Sequence, residues 1–216
     1  METARADSFP WLSWGVATRT LARQSVSGDL SLVTSFPGGA LIAVVDGLGH
    51  GEDAAVAARL AVTALSEHAQ ESVVLLLQRC HEQLKGTRGV VMSLASVRVH
   101  DGLLTWAGVG DVEGMLLRGS PGAHPARESL LLRGGVIGYQ LPPLHAATLS
   151  VRRGDVLILA TDGIHSDFTQ ERLLRNPLVR LAPDGPQQLA DHLLARYAKA
   201  TDDALVLVAQ YLGDSP

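Results

Sequence analysis

Cysteine is nearly missing from this chain: Cys80 stands alone among 216 residues. That excludes an intramolecular disulfide and a thiolate-rich zinc site, and it fits a reducing compartment. The expected role of Cys80 is apolar filling on a helix. Runs rich in Lys or Arg are also lacking, and 18 basic against 22 acidic residues leave a formal net charge of -4. The electrostatic footprint of nucleic-acid binding is therefore absent. The longest apolar stretches, such as Ala40 to Val45 and Val73 to Leu77, fall far short of the roughly 18 residues that a membrane span requires. Met1 to Phe9 carries Glu2 and Asp7 and no apolar run, which does not read as a signal peptide. These absences point to a soluble, cytoplasmic protein with neither nucleic acid nor membrane as a partner.

Several chemistries lack their signatures as well. There is no Gly-x-Ser-x-Gly elbow and no Walker-type Gly-Lys-Ser/Thr, and His81-Glu82 is followed by Lys85 where a zinc-binding helix needs His. Gly47-Leu48-Gly49-His50-Gly51 sits between a strand and a helix, as a dinucleotide-binding turn would. Its spacing is Gly-x-Gly-x-Gly, however, and no acid ends a second strand about 20 residues on.

What is present is a globular composition, with 46% hydrophobic and 19% charged residues. It is enough for a sizeable core in a single domain spanning residues 1 to 216. Trp11 to Phe36 reads as two short strands around Ser27-Gly28-Asp29. Ala40 to Val45 is continuously apolar and stops at Asp46-Gly47, the pattern of a strand buried on both faces. Glu52 to Ala69 and Gln70 to Leu84 read as helices. Val90 to His100, Leu103 to Val109 and Val112 to Leu117 read as a three-stranded meander whose first turn is Asp101-Gly102. Ser129 to Ser150 gives short strands of open register, and Val156 to Thr161 is a second buried strand that again stops at Asp-Gly. Thr169 to Asn176 and Pro186 to Lys199 read as helices and Ala204 to Tyr211 as a last strand. The order suggests sheets sandwiched between helical layers, and the meander argues against a parallel nucleotide-binding sheet.

Asp-Gly occurs at Asp46, Asp101, Asp162 and Asp184, and the dipeptide is a common turn signal. A hairpin explains Asp101, and a Pro-flanked loop explains Asp184. Asp46 follows six apolar residues and Asp162 follows five and a Thr, so their carboxylates emerge from the interior, where they need either a cation or a proton. A distant Lys or Arg brought in by folding would serve, and so would a divalent cation, because Mg²⁺ and Mn²⁺ choose carboxylate, carbonyl and water. Asp29, Asp111 and the Asp202-Asp203 pair also lie at strand boundaries and could converge on the same mouth, which makes a dinuclear site plausible. His50 reads as a polar neighbour of such a site, since hard cations prefer oxygen.

Ser27-Gly28-Asp29, Val45-Asp46-Gly47-Leu48-Gly49-His50-Gly51, Ala160-Thr161-Asp162-Gly163 and Asp202-Asp203 resemble, in that order, the motifs of the protein phosphatase 2C superfamily. The bacterial SpoIIE-like branch is the nearest in style. Arg88-Gly89 and Gly108-Val109-Gly110-Asp111-Val112 most resemble its RsbX-type phosphatases of stressosome signalling. The resemblance implies an α+β fold, a four-layer α-β-β-α sandwich with two mainly antiparallel central sheets. It implies two Mn²⁺ or Mg²⁺ ions bridged by Asp46, with the Gly47 carbonyl on one ion and Asp162 and Asp202 on the other, and with Asp29 acting on the first. Asp111 would help to hold a third, and Asp203 and His50 are further candidates. Asp46, Asp162 and Asp202 would act through a hydroxide held between the ions, which attacks phosphorus in line without a covalent enzyme intermediate. Arg19 and Arg23 are candidates for the phosphate-binding Arg of eukaryotic relatives. The implied substrates are phosphorylated STAS-domain proteins of a stressosome, dephosphorylated by a monomer to reset stress signalling. A phosphatase-like module that binds such a partner without turnover is the alternative.

Overall fold

The computed structural model describes residues 9–120, 122–171, 174 and 184–213. Within these residues, ten strands form two five-stranded sheets. They are β1 (Leu12–Arg19), β2 (Asp29–Phe36), β3 (Gly39–Gly47), β4 (Val90–Arg98), β5 (Leu103–Val109), β6 (Glu113–Leu117), β7 (Arg127–Ser129), β8 (Ala147–Ser150), β9 (Val156–Ala160) and β10 (Ala204–Tyr211). One sheet runs β2-β3-β4-β5-β8 and the other β1-β10-β9-β6-β7. Every pairing within them is antiparallel. Among the described residues, three helices, α1 (Glu52–Glu67), α2 (Val73–Gln83) and α3 (Gly185–Tyr197), cover the outer faces, and a 3-10 turn spans Ser166–Gln170. The expected four-layer sandwich is the architecture.

The two continuously apolar strands owe their composition to this layering. Along β3, Leu41, Ala43 and Val45 face α1 and α2, while Ala40, Ile42 and Val44 face the opposite sheet. β10 divides in the same way: Leu205, Leu207 and Ala209 point between the sheets, and Ala204, Val206 and Val208 point toward α3. A strand with apolar layers on both sides has no solvent face on which to carry polar residues, so the usual alternation disappears. Cys80 is buried in the layer under α2, and burial pushes its thiol up to about 12, which makes it an inert filler.

Two sequence expectations shift. β1 and β2 do not pair with each other: β1 joins β10 and β2 joins β3, in different sheets. The three-stranded meander is likewise only a β4–β5 hairpin, because β6 crosses to the other sheet between β7 and β9. The chain leaves β5 through Gly110, whose φ of 96° is a left-handed conformation that suits glycine. Alternation marks a strand but not its partner, which is why these exchanges leave no local trace. The helix expected at Thr169 to Asn176 overlaps the 3-10 turn at Thr169 and Gln170, and beyond Glu171 and Leu174 its remaining positions lie outside the described residues.

The glycines that follow Asp46 and Asp162 are fixed by close packing. A Cβ on Gly47 would stand 2.1 Å from the carbonyl oxygen of Ala54 in α1, and one on Gly163 would stand 1.8 Å from the carbonyl oxygen of Asp203. We expect Gly47→Ala and Gly163→Ala each to lower unfolding free energy by about 1–3 kcal/mol or more through overpacking. Gly134→Ala, with nothing within 4 Å of the new atom, should leave the denaturant midpoint close to that of the parent.

Candidate active site

The ends of β3, β9 and β10 open on the same side of the sandwich, and there the predicted acids meet. A cleft of about 520 Å³ is lined by Asp46, Asp111, Asp162 and Asp202, together with Leu48, His50, Gly110 and the Gly134-Gly135-Val136 segment. Asp46 and Asp29 come from the sheet under α1, where they are directly paired across β2 and β3. Asp162 and Asp202 come from the other sheet, at the end of β9 and just before β10. Asp111 lies on the crossing between the two. Asp29 and Gly47 are buried and are not among the residues that line the cleft.

These carboxylates act on one another. Burial pushes Asp46 up to about 9, helped by the negative charges of Asp29, Asp162, Asp111 and Asp202. Burial likewise raises Asp29 to about 7, with Asp203, Asp202 and Asp162 adding to the effect while a hydrogen bond from Thr161 opposes it. Asp162 is raised by burial and by Asp111 and Asp202, and Lys199 partly offsets this. Among the described residues, none of these acids is in an ion pair. The Lys199 ammonium donates to the main-chain carbonyl of Asp162 and acts on its carboxylate through space. Among the described residues, no Lys or Arg pairs with Asp46.

The donor set is all oxygen, anionic and crowded, which fits hard divalent cations rather than zinc. Among the described residues, no three acidic, His or Cys side chains already close into a ligating group. Asp46, Asp162 and Asp202 could hold such ions directly, and Asp29 could do so from behind Asp46. His50 is exposed at the rim.

Asp203 is used differently. Its Oδ1 accepts the Leu21 N–H at 2.6 Å and its Oδ2 the Gly28 N–H at 2.7 Å, so both oxygens hold the loop that leads into β2. The Arg19 guanidinium donates to the Lys199 carbonyl and Arg23 is exposed on a loop; neither lines the cleft.

Thr161 escaped the sequence reading. Its hydroxyl donates to Asp29 Oδ2 at 2.8 Å and accepts the Leu205 N–H at 2.9 Å, tying β9 and β10 to the acid on β2. A Thr ending an apolar strand carries no distinctive pattern; only its place directly before Asp162 hinted at the role.

A model of the SpoIIE family, stage II sporulation protein E, matches residues 37–212. The chain belongs to that family. It is 27% identical to the phosphoserine phosphatase RsbX of Bacillus subtilis over 189 residues, covering 87% of this chain and 88% of RsbX. A structure solved in work on the bacterial stressosome, as a modular system adapted to control secondary messenger signalling, matches with a TM-score of 0.82 and 30% identity. That match covers 92% of this chain and 99% of the other. RsbX in complex with magnesium superposes with a TM-score of 0.79 at 19% identity, covering 95% and 98% of the two chains; this last likeness concerns the fold. The family is one of phosphatases of the protein phosphatase 2C type, and its fold is the sandwich described above. No described helix is long and apolar enough to cross a membrane.

Two outcomes follow from the geometry. Asp29 and Asp46 bind protons more tightly when folded than the ordinary 3.8, so the unfolded chain holds fewer protons between that value and the folded ones. Stability of the metal-free protein then falls as pH rises from about 4 to about 9. Thermal melting across this range should show it, with Mn²⁺ restoring more stability at the alkaline end. Thr161→Val strands a buried Leu205 N–H and removes a donor from Asp29. It should cost about 1–3 kcal/mol in denaturant unfolding and roughly 10–100-fold in Mn²⁺ affinity by calorimetry.

Proposed function

We propose that this protein is a divalent-metal-dependent phosphatase of phosphoserine and phosphothreonine, acting on phosphorylated STAS-domain proteins of a stressosome to reset stress signalling. The observation that carries the reading is the convergence of Asp46, Asp162 and Asp202 from two sheets on one cleft, with Asp29 buried beside Asp46 in register, and with Asp29, Asp46 and Asp162 pushed toward protonation by burial and by neighbouring acids. The family, and the likeness to a phosphoserine phosphatase over most of both chains, support the reaction class. The stressosome and magnesium associations of the structural relatives support the partner and the metal.

Two Mn²⁺ or Mg²⁺ ions, when bound, would supply Lewis-acid polarisation of a phosphoryl oxygen and a water made acidic near neutral pH. The chain's part is positional. Asp46 would serve both ions, Asp162 and Asp202 would hold one from the β9–β10 side, and the Gly47 carbonyl and Asp29 would hold the other from the β2–β3 side. Asp111 lines the same cleft and would hold a third. Thr161 keeps Asp29 oriented by donating to Oδ2, and Lys199 fixes the main chain of Asp162. A direct displacement needs no nucleophilic side chain. The acids of the cleft would keep the leaving seryl or threonyl oxygen and the incoming water on opposite sides of phosphorus by where they hold the ions.

The test is hydrolysis of p-nitrophenyl phosphate and of a phosphorylated STAS-domain protein, with Mn²⁺ or with a chelator, by the parent and by Asp46→Asn. Turnover should depend on Mn²⁺ and drop by about two orders of magnitude or more in the variant. Activity that survives both chelation and the substitution refutes the mechanism. Partner binding that is indifferent to metal and unaccompanied by turnover would identify a binding module instead.

A further inference from the structure

The cleft is short of positive charge. Its lining holds Asp46, Asp111, Asp162 and Asp202 with His50 as the basic side chain, and Lys199 spends its ammonium on a main-chain carbonyl. A phosphoryl group entering such a cleft brings about two negative charges of its own.

Arg88 does not line the cleft itself, but its guanidinium stands against a residue that does. A Cβ on Gly49, a cleft-lining residue, would come within 2.7 Å of Arg88 Nη1. Arg88 therefore packs onto the main chain of Gly49, in space that a side chain there would take. The placement is built in two ways. The Leu48 N–H donates to the Gly89 carbonyl at 3.1 Å, which joins the Arg88 segment to the cleft loop. Asp53, on the first turn of α1, pairs with the other guanidinium nitrogen, Arg88 Nη2, at 3.0 Å. Both partners are at least half exposed, so the pair adds little to stability. What it does fix is the direction of a planar, fork-shaped donor suited to phosphate oxygens.

We propose that Arg88 is a substrate-binding residue whose guanidinium, oriented by Asp53 over Gly49, donates hydrogen bonds to the phosphoryl oxygens of the incoming phosphoserine. The inference rests on the phosphatase reading given above. No bond is made or broken by Arg88. Its contribution is to bind and orient the dianion at the rim, with Asp53 as a positioning residue.

The experiment compares the parent, Arg88→Ala, Arg88→Lys and Asp53→Asn, all loaded with Mn²⁺, on p-nitrophenyl phosphate and on a phosphoserine peptide. Arg88→Ala should raise KM on both substrates by roughly tenfold or more with a smaller change in kcat. Arg88→Lys should recover part of the loss, and Asp53→Asn should raise KM by about two- to threefold. Calorimetric affinity for a peptide carrying a non-hydrolysable phosphonate in place of phosphoserine should fall in parallel, while melting temperatures stay near the parent's. An unchanged KM and phosphonate affinity in Arg88→Ala, with an active parent, overturns the proposal. A KM rise on the peptide alone also overturns it, since the contact would then be to flanking side chains. A parent without Mn²⁺-dependent turnover instead removes the phosphatase reading, and the phosphonate titration then decides Arg88 separately.

Discussion

Everything in this molecule is arranged around the repulsion among carboxylates at the open end of the sandwich. Asp46 sits at the end of a strand with no polar face, next to Asp29 in register and opposite Asp162 across the gap between sheets. Water alone would solvate such acids, but here burial weakens that solvation, and protons or cations are left as the means of relief. A fold that keeps this arrangement holds its acids in an unfavourable place, and functional sites are where such local inconsistency is found.

The surrounding structure is built to maintain the crowding. Gly47 and Gly163 let α1 and the turn before β10 approach to distances that no side chain would permit. Thr161 links the acid of one sheet to the backbone of the other through a single hydroxyl. Asp203, next to a cleft acid, takes two backbone N–H groups and so anchors the loop that delivers Asp29. Its neighbour Asp202 lines the cleft, with Oδ1 accepting the Asp203 N–H at 2.9 Å.

Much of this was legible in the chain itself. An unbroken apolar run leading to Asp-Gly, twice, identified strands buried on both faces and acids at their exits, because only a strand covered on both sides dispenses with alternation. The order of four short motifs led to the family and the layers. Partner choice was not legible: β1 and β2, or β5 and β6, look the same whether they pair or part, since the exchange is decided by packing between distant segments. The contacts of Thr161 with Asp29 and of Arg88 with Asp53 were silent for a related reason. Their roles depend on companions 132 and 35 residues away in sequence, and no local period reports such a distance.

The contributions to the cleft come from both sheets, and the apolar layer between them, which includes Ile42, Val44, Trp106, Leu116, Leu159 and Leu207, sets their separation. Interiors packed to crystal-like density transmit small changes in volume, so this layer works as a spacer for the acids at its edge. A methyl group gained or lost in its middle, far from any charged residue, would alter the gap at the mouth. The thickness of the core is in that sense a dimension of the site.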